Sequence, residues 1–388
     1  MSTPGLGLSR AFFHEVVEPL VSRVDPDLRY SAALIGPGSE VLGYDDETST
    51  DHHWGPRVQL FVREADGRAR AARLTDALAH RLPHRFRGYA TNFSAPDPSD
   101  HGTQLLDPTD SGPVNHRVEI VALEAWLEEY LGLTLVIPSD AERCAAVGID
   151  VPSPTRSITV DPIDWLTLPQ QKLRSIVSGG VFRDDEGRLR ALRSTLAWYP
   201  DDVWRYLLAA VWTRIGQEEH LVGRAGQAGD ERGARIIASR LVRDAMRLCF
   251  LMERAYAPYP KWLGRAFAEL EVAAELGPLL DEVDAADEWR SRDAALVPVW
   301  EVLARRHNRL GITKPMPENA TSFFGRPFHV IALHGHAGAI LETVSSPWLS
   351  PEMRRSPLGS VDLITDNTDL LEDAVFRPAL RRLLGGER

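Results

Sequence analysis

The sequence predicts an α+β fold: a small mixed sheet with helices against it in residues 1–150, an all-helical domain over 160–310, and an irregular tail, 311–388, packing back on the domains. Three observations predict it. Short apolar runs punctuated by Gly, Asp and Ser fill the first third of the chain. From Asp161 they give way to long segments with apolar residues three and four apart, and from 311 Pro, Gly, His and Thr recur throughout.

Residues 9–23 carry Phe12, Phe13, Val16, Val17, Leu20 and Val21 at helical spacing, with Ser9 as a cap and Asp25-Pro26 as the stop. Tyr30–Ile35 reads as the first strand, Val58–Val62 as the second and His116–Leu123 as the third. Helical spacing recurs over Arg68–Leu82 and over Glu124–Leu131, the latter ended by Gly132, while 92–115 is an irregular excursion. Beyond 160, helices are predicted over Asp164–Val177, Leu189–Trp198, Asp201–Gln217, Gly233–Arg254, Trp262–Glu275 and Asp284–Arg309, and a strand at His329–Leu333. Asp230 is placed to cap the helix that follows it.

With 388 residues and 44% apolar composition, two domains with real cores are expected. The 55 acidic side chains exceed the 44 basic ones for a net charge of −11, which disfavours general affinity for nucleic acid but leaves room for a local basic cleft. Cys144 and Cys249 sit in apolar sequence without metal-ligand spacing and read as buried thiols of a reducing compartment. The N-terminus carries Glu15 and Glu18 and lacks a basic head and cleavage site, and no apolar run approaches the roughly 20 residues that span a bilayer. A soluble cytoplasmic protein with no membrane partner is the expectation.

The chemistry is concentrated in residues 34–62. The first strand ends in Gly36-Pro37-Gly38-Ser39, where glycine lets backbone N–H groups approach a phosphate and Ser39 adds a hydroxyl at a helix start. Asp51 and His53 follow ahead of the second strand, and Glu119 stands among Val118, Ile120 and Val121 in the third. Phosphate donors beside acidic metal ligands are what phosphoryl or nucleotidyl transfer requires.

The pattern resembles the N-terminal domain of minimal and antibiotic-modifying members of the DNA polymerase β-like nucleotidyltransferase superfamily. That resemblance implies that Gly38-Ser39 form the phosphate turn, Gly43 is the small residue after the short helix, and Asp51 is the first metal carboxylate. Position 53, where a second carboxylate belongs, is His, and Glu119 is the candidate third acid. The whole chain also resembles an uncharacterised bacterial family in which such a domain precedes a helical domain of unknown function, 4037. Asp164-Trp165-Leu166, Gly180-Val181-Phe182, Gly223-Arg224, Gly229-Asp230 and Tyr256–Trp262 carry that likeness.

The resemblance implies nucleoside triphosphate as substrate, Mg²⁺ or Mn²⁺ as cofactor, and a small-molecule acceptor with release of pyrophosphate. His53 can be a ligand that suits Mn²⁺ better than Mg²⁺, a base on the acceptor hydroxyl, or the mark of a fold that binds nucleotide without catalysis. Arg240, Arg243, Arg247 and Arg254 share one helix side and, with Arg224 and Lys261, could form a cationic wall for the triphosphate; Arg240, Arg243 and Lys261 are the candidates carried forward. The competing reading is a solvated face paired with Asp244 and Glu253. Tyr256, Tyr259 and Trp262 read as a packed corner. His334 and His336 read as a surface loop, with chelation as the sharper alternative.

Overall fold

A computed structural model describes residues 4–46, 48–49, 54–63, 68–100, 102–137 and 158–385. The chain divides into two units, one of residues 1–160 with 172–197 and one of 161–171 with 198–388. The α+β class holds: a small mixed sheet stands in the N-terminal part and helices dominate the C-terminal part.

The first unit opens with α1 (Pro4–Phe12), a π-helical stretch at Phe13–Val17 and α2 (Glu18–Val24). Ser9 is therefore interior rather than a cap; it is fully buried, and its hydroxyl donates to the Gly55 carbonyl at 3.5 Å. Next come β1 (Ser31–Leu34), α3 (Ser39–Leu42), β2 (Arg57–Val62) and α4 (Arg68–Ala79). After a two-residue hairpin, β3 (Arg85–Phe86) and β4 (Tyr89–Ala90), the chain reaches β5 (Arg117–Ala122) and α5 (Leu123–Leu131), ended by Gly132 in the left-handed conformation.

The sheet order is β5-β2-β1-β6, the last strand being Gly180–Asp184. β1 runs antiparallel to β2 and β6, whereas β2 and β5 are parallel, so their connection has to cross over, and it carries α4. Strand β6 lies within the stretch that periodicity assigns to helices. Alternation decides what each sheet face carries. Ala32, Val58, Leu60, Val62 and Val118 join Phe12, Phe13, Val17, Leu74 and Leu78 in one core, each large side chain contributing about 1.5–3 kcal/mol by leaving water. Arg57, Gln59, Arg117 and Glu119 have the opposite parity and share the other face.

Further along, α6 (Pro162–Thr167) and α7 (Gln170–Val177) replace one expected helix, because Pro169 cannot continue the first and Leu168 before it is extended. α8 (Arg188–Thr195) completes the first unit's described elements.

The second unit is built on α9 (Asp201–Gln227) and α10 (Glu231–Met252), joined by Ala228–Asp230 and pinned where the Trp204 indole donates to the Leu251 carbonyl at 2.7 Å. α9 runs past the predicted Gln217 because its glycines admit neighbours instead of ending the helix. A Cβ on Gly226 would lie 1.9 Å from the Trp289 ring, and one on Gly223 2.5 Å from Phe328. Asp230 caps α10 as predicted, accepting from the Gly233 N–H at 2.8 Å. α11 (Pro260–Phe267), α12 (Ala273–Ala285) and α13 (Trp289–Arg309) follow, so the expected Trp262–Glu275 helix is broken in two. Tyr256 packs on Trp198 and Tyr199, as a corner. Among the described residues no helix is long and apolar enough to cross a membrane.

Residues beyond 310 are held to these helices by buried polar groups. Thr321–Ser322 pairs as β7 with β8 (His329–Val330), and α14 (His336–Leu341) packs along α9. Buried Glu219 of α9 accepts the N–H groups of Ile331 and Ala332 at 2.8 and 3.1 Å. Those bonds favour the anion, but burial outweighs them and pushes the carboxyl up to about 7. The native state therefore holds this proton more tightly than the unfolded chain, and the contribution falls as pH rises from about 4.5 through 7. Glu219→Gln is expected to remove on the order of 3 kcal/mol of that pH dependence. Urea unfolding of both proteins at pH 5 and pH 8 measures it; identical pH dependences would contradict the assignment.

Candidate functional site

The first strand ends in a turn built by two glycines. Gly36 has φ +84° and Gly38 φ +138°, values that favour glycine, and Ser39 begins α3. A Cβ on Gly38 would sit 2.3 Å from the Arg57 guanidinium, so the turn closes directly over that side chain. Arg57 donates to the Pro37 carbonyl at 2.6 Å and to Glu40 at 2.8 Å, Arg57 and Glu40 both being buried. The ion pair clamps the turn from below. Gly36 does not meet the expectation that its N–H is offered to a phosphate, since it donates to the Ser175 carbonyl at 3.0 Å. Gly38 and Ser39 are left as the turn's candidate donors. α3 has only four residues, so the dipole expected behind Ser39 is short.

Gln59 stands on β2, between the strand that ends in the turn and the strand that carries Glu119. Its amide accepts the Ile35 N–H and donates to the Ile35 carbonyl, each at 3.0 Å, and Glu119 is its register partner on β5. Glu119 is reached by solvent yet crowded by protein. Burial holds its carboxyl above the ordinary range; the Gln59 amide and Arg117 oppose this, while Glu129 adds to it. Arg117 lies beside Arg57 in register and donates to Gln104 at 2.6 Å; burial and the Arg57 charge lower its pKa.

Gly36, Gly38, Ser39 and Glu119 belong to one unit; Gln59 bonds Ile35, the residue before Gly36, and stands in register beside Glu119. Asp51 and His53 lie outside the described residues, as does Cys144; Cys249 is buried. Among the described residues no group of three or more His, Cys, Asp or Glu side chains gathers to hold a metal. Sequence reasoning missed Glu40, Arg57, Gln59 and Arg117. The signal was present for three of them: Arg57-Val58-Gln59 and Arg117-Val118-Glu119 alternate with the same parity.

Arg240, Arg243 and Lys261 belong to the second unit. The arginines do not stand as an open wall: Arg240 pairs with Glu218, Arg243 with Asp366 at 2.7 Å, Arg247 with the same Asp366 at 3.4 Å, and Arg254 with Asp201 at 2.9 Å. Lys261 lies over the Trp262 ring, 4.8 Å from its centre. The paired-face reading describes this helix, although Asp366, Glu218 and Asp201 supply most of the partners where Glu253 was expected.

One segment of the chain has a family match. Residues 165–263 match a domain of unknown function, DUF4037. A comparison with curated proteins returns no match. The DUF4037 segment includes Arg240, Arg243 and Lys261, whereas Gly36, Gly38, Ser39, Asp51, His53 and Glu119 fall outside it. It is also not wholly helical, because β6 within it pairs with β1 next to the turn.

Proposed function

We propose that the chain transfers a nucleotidyl group from a nucleoside triphosphate to a small-molecule acceptor, in a metal-dependent reaction that releases pyrophosphate. The observation that carries the reading is Gln59, whose amide is bonded to the strand end at Ile35, where the glycine turn begins, and which lies in register beside Glu119. In this reading Gly38 and Ser39 hold phosphate oxygens, and Asp51, His53 and Glu119 would hold the metal. Two carboxylates and an imidazole suit Mn²⁺ better than Mg²⁺, which prefers all-oxygen ligands. A metal bound there supplies charge neutralisation at the phosphates and lowers the pKa of the acceptor hydroxyl. The acceptor oxygen bonds to the α-phosphorus, the bridge to the β-phosphate breaks, and pyrophosphate leaves. A net charge of −11 favours a small acceptor over a nucleic acid. Arg240, Arg243 and Lys261 enter this reading only if their present partners release them.

A second reading, a nucleotide- or metabolite-binding protein on the same fold without catalysis, is favoured by one observation. Opposite Glu119 the second strand offers an amide, Gln59, and the nearby Glu40 is neutralised by Arg57. Pyrophosphate release from each triphosphate with Mg²⁺ or Mn²⁺, across a panel of hydroxyl and amine acceptors, separates the two. Metal-dependent release is expected. Saturable triphosphate binding with no release under any condition would establish the second reading instead.

A further inference from the structure

Arg57 and Gln59 stand two residues apart on β2 and therefore on one face of it, and together they hold the end of β1 and the turn that follows. Gln59 takes both backbone groups of Ile35, and Arg57 takes the Pro37 carbonyl at 2.6 Å. Between these points the Gly36 N–H goes to the Ser175 carbonyl of α7 at 3.0 Å. The backbone leading to Gly38 is thus held from three sides.

The two sides of the turn differ. Pro37 and Gly38 are exposed, and among the described residues the N–H groups of Gly38 and Ser39 have no acceptor. The inner side is filled. Arg57 and Glu40 are 8% and 3% exposed, and a Cβ on Gly38 would lie 2.3 Å from the guanidinium and 2.6 Å from the Glu40 carboxylate. Two different guanidinium nitrogens make the contacts: Nη2 donates to the Pro37 carbonyl and Nε to Glu40 at 2.8 Å. A planar fork spans such a pair of acceptors with fixed spacing, whereas a Lys ammonium is a single point on a flexible stem. Arg57 also neutralises a carboxylate that would otherwise lie directly beneath a phosphate site.

We propose that Arg57 is the positioning residue of this turn: its fork between Glu40 and the Pro37 carbonyl sets the spacing of the Gly38 and Ser39 N–H groups and thereby the affinity for triphosphate. The assignment rests on the nucleotidyl-transfer reading. Arg57 acts through the turn, and its guanidinium lies on the inner side.

Contacts made equally in the ground state and the transition state appear in KM and leave kcat unchanged. A merely structural role lowers the amount of folded protein, hence the apparent kcat, and leaves KM where it was.

The test measures Mn²⁺-dependent pyrophosphate release by the full chain against triphosphate concentration for wild type, Arg57→Lys and Glu40→Gln. Arg57→Lys keeps the charge that neutralises Glu40 and loses the fork, so KM is expected to rise at least about tenfold with kcat within about threefold of wild type. Glu40→Gln keeps an oxygen for Nε and leaves the Pro37 bond in place, so its KM is expected to stay within about threefold of wild type. KM is read on the fraction that folds, so destabilisation of either variant leaves the comparison intact. An unchanged KM in Arg57→Lys would overturn the positioning role while the reaction stands. A KM raised as much in Glu40→Gln would make charge balance the determinant and overturn it equally. Should wild type bind inorganic tripolyphosphate with Mn²⁺ but release no pyrophosphate from any triphosphate, the nucleotidyl reading falls alone, and calorimetric Kd values for tripolyphosphate decide the role of Arg57 by the same comparison. Neither release nor binding by wild type would overturn both.

Discussion

Asp244→Ala is expected to cost about 3–5 kcal/mol of unfolding free energy, the range for removing one partner of a buried ion pair. Asp244 is fully buried on α10. It accepts from Arg214 of α9 at 2.7 Å, with Arg243 at 3.7 Å and Arg247 at 3.9 Å. Its loss leaves the Arg214 guanidinium, only partly reached by solvent, without its counter-ion between the two longest helices of the unit. A fall in melting temperature on the order of 10 °C follows for a unit of this size. The double variant Asp244→Ala, Arg214→Met is expected to regain much of the loss, since removing both charges removes the uncompensated one. Denaturant unfolding of wild type, single and double variants measures this. A single-variant loss below about 1 kcal/mol would show that solvent screens the pair.

The second large effect concerns activity. Asp51→Ala and Glu119→Gln are each expected to lower metal-dependent pyrophosphate release by roughly 100–1,000-fold, the scale on which one preorganised charge contributes to a transition state. Glu119 stands partly exposed on a strand whose opposite face makes the core, so its substitution should leave the unfolding midpoint nearly unchanged. A large stability loss with proportionate activity loss would make it structural. Because protein around Glu119 raises its carboxyl, metal affinity should rise with pH until that group is ionised. His53→Asp probes the chemistry of the set directly: greater use of Mg²⁺ identifies position 53 as a ligand, and unchanged metal preference excludes that role.

How much was legible in the sequence depended on how local the signal was. Strands β2 and β5 follow from alternation, and the parity of Arg57, Gln59, Arg117 and Glu119 marks one face before any pairing is known. Strand β6 was hidden, because Gly180–Asp184 is short and its partner β1 lies some 150 residues earlier, where no periodicity reports it. The glycines of α9 read as possible ends from sequence, and only their neighbours Phe328 and Trp289 show them to be packing sites. Ion pairs across long separations, such as Arg243 with Asp366, were invisible for the same reason, so a paired helix face could pass for a cationic wall. Burial of His336 was misread because its Gly-rich surroundings carry loop composition, while Trp212, the ring that covers it, lies far upstream.

In the proposed reaction the glycine turn and the acid of the third strand serve one triphosphate. A crystal structure of the full chain with Mn²⁺ and a triphosphate analogue that cannot release pyrophosphate tests it most directly, with anomalous scattering to locate the metal. Phosphate oxygens are expected on the N–H groups of Gly38 and Ser39, and manganese on Glu119 and Asp51. A triphosphate bound away from that turn, or a metal with no Glu119 ligand, would contradict it.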